Sequence, residues 1–257
     1  MKKQRQYEYK FSGPVTVQDI ANLMDHSNLQ PQLTINDTID CVNMAKKYNC
    51  ISVCVRPSDI EIVRPLLEDT DIIITTVIGF PHGTCTTETK VFEINDAIAK
   101  GAEEIDVVMN IGRFKSGDYE YVVKDLLACV EATHAHGLKI KVILENAYLS
   151  DGEKIIACRI CEKVGADFTK TATGYAKSGA TINDLILMRK YTKPEMQVKA
   201  AGGVRTIDDC LAVMATGTVR IGTRSTESIL KAAVEREKAG TLVIPDNIDG
   251  VKLGGGY

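Results

Sequence analysis

Two lysines sit at equivalent points of two successive strand-like segments. Lys170 ends Ala166-Asp167-Phe168-Thr169-Lys170, ahead of Thr171-Ala172-Thr173-Gly174. Lys199 lies in Gln197-Val198-Lys199-Ala200-Ala201-Gly202-Gly203, ahead of Val204-Arg205-Thr206. Each stands toward the C-terminal side of a short β-prone run and is followed within a few residues by glycine. On parallel neighbouring strands both ammonium groups would point into one site. A lysine beside a second cation gives up its proton more readily, because like charge disfavours the charged form. A neutral lysine attacks carbonyl carbon, so the pair suggests Schiff-base chemistry. Two surface lysines are the commonplace alternative, but that leaves their matched placement without a reason.

Other strand ends supply the remaining groups. Asp106, inside Glu103-Glu104-Ile105-Asp106-Val107-Val108, would be ionised beside two cations and could move a proton, directly or through a water. A salt-bridge role for Asp106 is equally compatible with the lysines. Asp25 is a weaker candidate, since an Asp before a loop is often a turn residue or cap. Cys54, on an apolar run, reads more readily as buried filler than as a nucleophile. Glycine-rich turns form the other half of the expected site: Thr173-Gly174-Tyr175, Gly202-Gly203-Val204-Arg205 and Gly222-Thr223-Arg224-Ser225. Glycine lets backbone N–H groups approach an anion, and a helix N-terminus adds free donors. Arg205 or Arg224 could add charge-assisted hydrogen bonds. Asp25, Cys54, Thr171, Gly174, Gly202, Gly203, Arg205, Gly222, Arg224 and Ser225 make up the expected substrate-binding set.

The elements that must position these groups alternate along the chain. Strand-like runs fall at residues 23–25, 51–55, 72–79, 104–110, 139–145, 167–170, 197–201 and 219–222, each followed by a helical stretch. The first is too short to show periodicity. The helices are better marked: Thr86 to Lys100-Gly101 opens with cap residues, and Asp118 to His136 carries Val122, Val123, Leu126, Leu127 and Val130 at helical spacing before Gly137. Ser150-Asp151-Gly152-Glu153 reads as a capping box. Several strands, such as Ile72-Ile73-Ile74, are apolar on both sides, as in a parallel sheet covered by helices. Eight βα units in 257 residues predict one closed (β/α)8 barrel domain, with a core over about residues 16–239, an N-terminal arm and a flexible tail at 240–257. An open doubly wound sheet is the alternative, weakened by the absence of Gly-x-Gly-x-x-Gly after the first strand. In a barrel the catalytic groups stand at the strands' C-terminal ends, and phosphate often sits beside the loops after strands seven and eight.

Composition narrows the classes. Hydrophobic content of 44%, charged content of 25% and a net charge of −3 suit an ordinary enzyme and give no case for nucleic acid or anionic membranes. No run approaches the ~20 apolar residues of a membrane span. Met1-Lys2-Lys3-Gln4-Arg5-Gln6 leads into Tyr7-Glu8-Tyr9-Lys10 rather than an apolar stretch, which argues against a secretory signal and for the cytoplasm. The eight cysteines are scattered, and Cys158-Arg159-Ile160-Cys161 lies in a helical stretch with no second pair, so neither disulfides nor a metal site is expected.

At this point the chain resembles the deoxyribose-phosphate aldolases, class I aldolases with a (β/α)8 barrel. The similarity runs from about Leu23 to Ile229. It rests on Ser52-Val53-Cys54-Val55, Val77-Ile78-Gly79-Phe80-Pro81-His82-Gly83, Glu104-Ile105-Asp106-Val107-Val108, Lys141-Val142-Ile143-Leu144-Glu145, Gly165 through Thr171 and Lys199 through Thr206. The resemblance implies that Lys170 forms the Schiff base, that Lys199 depresses the pKa of Lys170, and that Asp106 assists a proton relay through water. It further implies reversible cleavage of 2-deoxy-D-ribose 5-phosphate to acetaldehyde and D-glyceraldehyde 3-phosphate, without metal or external cofactor. Members often carry a C-terminal tyrosine that enters the site, and Tyr257 ends this chain on a Gly254-Gly255-Gly256 tether. Self-association to a dimer or tetramer is also expected. Three places depart from the family pattern: Thr223-Arg224-Ser225, where the turn is usually small or Ser-rich; Ser27-Asn28, where many members have Thr-Leu; and Asn146-Ala147-Tyr148. Arg224 therefore leaves a second substrate open, another phosphorylated sugar or keto compound. A non-catalytic barrel that binds a phosphorylated ligand is a third reading, although binding alone needs no lysine pair.

Overall fold

The computed structural model describes residues 7–254. Eight parallel strands, β1 (Met24–Asn28), β2 (Ser52–Val55), β3 (Ile73–Ile78), β4 (Glu104–Val108), β5 (Lys139–Ile143), β6 (Phe168–Lys170), β7 (Gln197–Ala201) and β8 (Arg220–Thr223), pair in chain order, and β8 returns to β1 to close the barrel. This is the (β/α)8 architecture the alternation predicts, and closure sets aside the open sheet.

The helices begin and end where local chemistry dictates. Thr86 caps Thr87–Lys100 by accepting from the Thr89 N–H, and Gly101 stops it at φ 121°. Asp118 caps Tyr119–His134, and Ser150 with Glu153 forms a reciprocal capping box at the start of Asp151–Val164. Cys158 and Cys161 lie inside that last helix, buried and unbonded to each other. Among the described residues no helix is long and apolar enough to cross a membrane.

The period of two along each strand divides the barrel into two environments. Val53, Val55, Ile74, Ile78, Ile105, Val107, Ile140, Val142, Val198, Ala200 and Ile221 join the main apolar core with the helices. Their neighbours form the other face, and there the reading of strands apolar on both sides needs correction. Glu104, Asp106, Lys141, Lys170, Lys199 and Arg220 are all buried, in a barrel interior built largely of charge. Packed branched apolar side chains more commonly fill such interiors.

The first strand also departs from expectation. It runs to Asn28 rather than ending at Asp25, because Asp25 through Asn28 pair with Ser52 through Val55 and Asp25 also pairs with Gly222. Parallel pairing on both sides overrides the weak β-propensity of Asp-His-Ser-Asn. Outside the barrel, arm and tail are stitched together: Gly13–Pro14 pairs antiparallel with Val243–Ile244, and Leu242 and Ile244 are buried.

Candidate active site

Register brings the charged side chains together. Lys170 and Lys199 are Cα partners on β6 and β7, and Asp106 and Lys141 are partners on β4 and β5. Asp106 Oδ2 accepts from both Lys170 Nζ and Lys199 Nζ at 2.7 Å, while its Oδ1 accepts from Lys141 Nζ at 2.9 Å. Three ammonium groups thus converge on one carboxylate. Lys199 also bonds Asp25 Oδ2, and Lys141 also pairs with Glu104 at 2.6 Å. Glu104 in turn pairs with Arg220 at 3.2 Å. The network is continuous from the lower barrel to the end of β6.

Burial and charge act against each other throughout it. Burial alone would raise the Asp106 carboxyl, but Lys141, Lys170 and Lys199 hold it well below the usual range. Glu104 is brought down to about 2, against burial, by Arg220 and Lys141. Lys199 would lose its proton to burial were it not for Asp106 and Asp25, which together raise it above the ordinary lysine value. Lys199 is therefore a fixed cation. Lys170 differs from it in position: it is the last residue of β6 and 3% exposed, whereas Lys199 and Lys141 are fully enclosed. Of the three lysines it alone has any exposure to solvent.

Asp25 is not a turn residue. It is a fully buried strand residue whose Oδ1 has no hydrogen-bond partner, and its carboxylate is part of the lysine network. Cys54 lies beside the carboxylates in a small apolar cluster with Leu29, Val77 and Phe80; burial, reinforced by Asp25 and Asp106, pushes its thiol up to about 12. Thr171 is committed to the scaffold, since its hydroxyl donates to Ala201 O and accepts from Ala201 N–H, extending the β6–β7 pairing past Lys170. Gly222 abuts Lys199: a Cβ there would stand 3.4 Å from Lys199 Cε.

The mouth is shaped by the turns. Gly174, Gly202 and Gly203 have φ of 92°, 75° and 91°, conformations closed to most other residues. Gly203 also lies against the Gly254 carbonyl, so the tail crosses this loop. Two helix N-termini face this side, with different fates. That of Ile207–Ala215 is occupied by its own Thr206–Asp209 capping box. Ser225 precedes Thr226–Lys238 and makes no side-chain cap. Arg205 is exposed on the first of these turns. Arg224 is exposed at the rim and donates to Gln30 Oε1 in the loop after β1. Tyr175 crosses from the β6 turn, donating to Leu29 O at 2.9 Å and meeting Phe80 edge-on. Tyr257 lies outside the described residues.

Sequence reasoning passed over Lys141, Glu104 and Arg220 as participants. Their signal was present: a charge in the middle of an otherwise apolar strand of a parallel sheet, at Lys141 between Ile140 and Val142 and at Arg220 between Val219 and Ile221. Glu104 and Asp106 repeat it at two-residue spacing, and so share a face.

Among the described residues one grouping has metal-site spacing: ligand atoms of Asp25, Cys54 and Asp106 lie within 4.8 Å of one another. Lys199 Nζ already bonds both carboxylates and supplies the positive charge a cation would bring. The Cys54 proton would also have to leave a thiol that its surroundings keep protonated.

Comparison with known proteins agrees with this geometry. The family model described as DeoC/LacD family aldolase matches residues 19–225. A protein of Thermococcus gammatolerans named deoxyribose-phosphate aldolase is 45% identical over 221 residues, covering 85% of this chain and 98% of its own length. One of Clostridium perfringens with the same name is 46% identical over 217 residues, covering 84% and 96%. The tetrameric deoxyribose phosphate aldolase structure from Aeropyrum pernix superposes with a TM-score of 0.79 at 29% identity, covering 84% of this chain and 92% of that one. With the matched segment spanning all eight barrel strands, the chain belongs to the DeoC/LacD aldolase family.

Proposed function

We propose that the protein is a class I aldolase that reversibly cleaves 2-deoxy-D-ribose 5-phosphate to acetaldehyde and D-glyceraldehyde 3-phosphate through a Schiff base on Lys170. The observation that carries this reading is the convergence of Lys170, Lys199 and Lys141 on Asp106 with only Lys170 open to the mouth. Network cations number four (Lys141, Lys170, Lys199, Arg220) against three carboxylates (Asp25, Glu104, Asp106). One ammonium is in surplus, and the one nearest solvent is the one that can give up its proton.

As a free amine, Lys170 adds to the aldehyde carbon and loses water, giving a protonated imine. Removal of the proton from the C3 hydroxyl lets the C2–C3 bond break, its electron pair passing to the iminium nitrogen. Glyceraldehyde 3-phosphate leaves and an enamine remains. Protonation at C2 and hydrolysis then release acetaldehyde and restore the amine. Asp106, within reach of Lys170 Nζ, serves proton movement at the nitrogen, directly or through a water, and Tyr257 is assigned to protonation at the acetaldehyde carbon. Phosphate goes to Gly202, Gly203 and the uncapped helix N-terminus at Ser225, with Arg205 and Arg224 as charged flanks. We place the enzyme in the cytoplasm, consistent with eight cysteines that are all free, and expect a dimer or tetramer, the Aeropyrum pernix relative being tetrameric.

Borohydride reduction in the presence of 2-deoxyribose 5-phosphate, followed by peptide mass spectrometry, tests this directly. A reduced adduct on Lys170 is expected; an adduct elsewhere, or none on folded protein, removes the mechanism. The Arg224–Gln30 bridge favours one further reading, in which the rim is set for a different phosphorylated sugar or keto compound. For the deoxyribose reading, Arg224→Ser should raise KM for 2-deoxyribose 5-phosphate about tenfold with kcat little changed, as loss of one exposed charge-assisted contact implies. Another substrate outranking deoxyribose 5-phosphate in a panel of sugar phosphates would replace it.

A further inference from the structure

We infer that Lys141 is a positioning residue: held between Glu104 and Asp106, it fixes how much of the Asp106 carboxylate remains for Lys170, and so the pH at which Lys170 becomes a free amine. This rests on the reading of Lys170 as the Schiff-base nucleophile. Lys141 is fully buried and lies behind Asp106 on the neighbouring strand, so it acts on the reaction only through that carboxylate. Its two bonds pull in opposite directions. The Glu104 contact, at 2.6 Å, draws Lys141 toward the lower barrel, and the Asp106 contact, at 2.9 Å, ties it to the reacting end.

Arg220 and Phe168 fix the lower half of this arrangement. Arg220 pairs with Glu104 and donates to Ser52 Oγ, and its guanidinium lies 5.7 Å from the Phe168 ring centre. Lys141 Nζ lies 5.6 Å from the same ring. Phe168 shares a face of β6 with Lys170, two residues on. One strand therefore carries both the aromatic platform for the hidden cations and the reacting lysine.

The groups facing Lys170 come from every side of the barrel: Asp25 from β1, Cys54 from β2, Asp106 and Glu104 from β4, Lys141 from β5, Lys199 from β7 and Arg220 from β8. Glu145, in the turn after β5, also interacts with Lys170 by charge, while its carboxylate accepts from the Thr173 N–H and hydroxyl. Tyr7 closes the lower end, and its phenol is kept protonated by burial despite Arg220. Within this set, Lys141 and Glu104 are charges of opposite sign that can be replaced while Lys170, Asp106 and Lys199 keep their own side chains.

The sign of each change follows from charge. Lys141→Met leaves three cations against three carboxylates, so Lys170 keeps its proton to higher pH. Glu104→Gln leaves four cations against two, so Lys170 loses its proton at lower pH. The measurement is the pH dependence of borohydride trapping on Lys170 with acetaldehyde, read by mass spectrometry, beside thermal melts. Lys141→Met should move the rise in trapping about one pH unit or more to the alkaline side, and Glu104→Gln by a similar amount to the acid side. The double variant Glu104→Gln with Arg220→Met removes one charge of each sign and guards against a single variant that does not fold. It should trap with a profile close to wild type. Shifts in the same direction, or no shift in folded Lys141→Met, would overturn the inference while wild-type trapping on Lys170 upholds the aldolase reading. No wild-type adduct would remove both.

Discussion

Lys170→Met is expected to abolish turnover, by about four orders of magnitude or more, while leaving the fold as stable as wild type or more so. The loss follows because the other two lysines of the network cannot take its place: Lys199 and Lys141 are fully enclosed and each is bound to two carboxylates. A nucleophile that forms the covalent intermediate has no substitute when it is removed. The stability half of the prediction is less usual. Removing one member of a buried ion pair commonly costs about 3–5 kcal/mol, because its partner is left charged and alone. Asp106 is not left alone here, since Lys141 and Lys199 still bond both its oxygens. The network passes from four cations and three carboxylates to three of each. A steady-state assay, borohydride trapping and a thermal melt decide the matter together. Retained turnover would remove the Schiff base, and a melting temperature several degrees lower would show that Lys170 is not the surplus charge.

The fold was legible because each βα unit announces itself locally. Caps at Thr86, Asp118 and Ser150 and stops at Gly101 and Gly137 are matters of neighbouring residues, and all stand where the residue types place them. The first strand was not legible beyond Asp25, since Asp-His-Ser-Asn has weak β-propensity and is extended because β2 and β8 pair with it from both sides. The site shows the same division. Lys170, Lys199 and Asp106 could be named from their positions at or near strand ends. Lys141, Glu104 and Arg220 depend on which face of a buried strand looks inward, and alternation in a strand without a solvent face does not fix that. The Thr171 hydroxyl bridges β6 and β7 through Ala201, a contact set by which residues the register places opposite each other. Arg224 breaks the family pattern, and its bond to Gln30 joins the first and last βα loops across the rim. Such a bridge is set by tertiary proximity alone, the partners standing 194 positions apart in sequence.

Lys199→Leu, one strand away and in register with Lys170, is expected to behave in the opposite way. It removes a cation that its surroundings hold firmly protonated, and only such a fixed charge can make a neighbouring ammonium easier to deprotonate. Without it Asp106 and Asp25 face each other across the vacated space. The remaining lysine at the mouth gains the full attraction of both, so Lys170 keeps its proton. Activity near neutral pH should fall by about two to three orders of magnitude and return in part as pH rises, with the profile displaced about one to three units to the alkaline side. Stability should fall as well. Among the described residues Lys199 is the hydrogen-bond partner of the Asp25 carboxylate, whose other oxygen already has none. A carboxylate abandoned in the barrel interior should cost about 3–5 kcal/mol, read from the denaturant midpoint. Adding Asp25→Asn to Lys199→Leu removes the abandoned charge and restores one cation in surplus, so both the midpoint and the pH profile should move back toward wild type. A Lys199→Leu variant with an unmoved profile would give Lys199 a purely structural part. An unmoved midpoint would show that Asp25 is not held by it. The contrast between two lysines paired in one ladder, one dispensable to the fold and one not, is what a site with a single surplus proton requires.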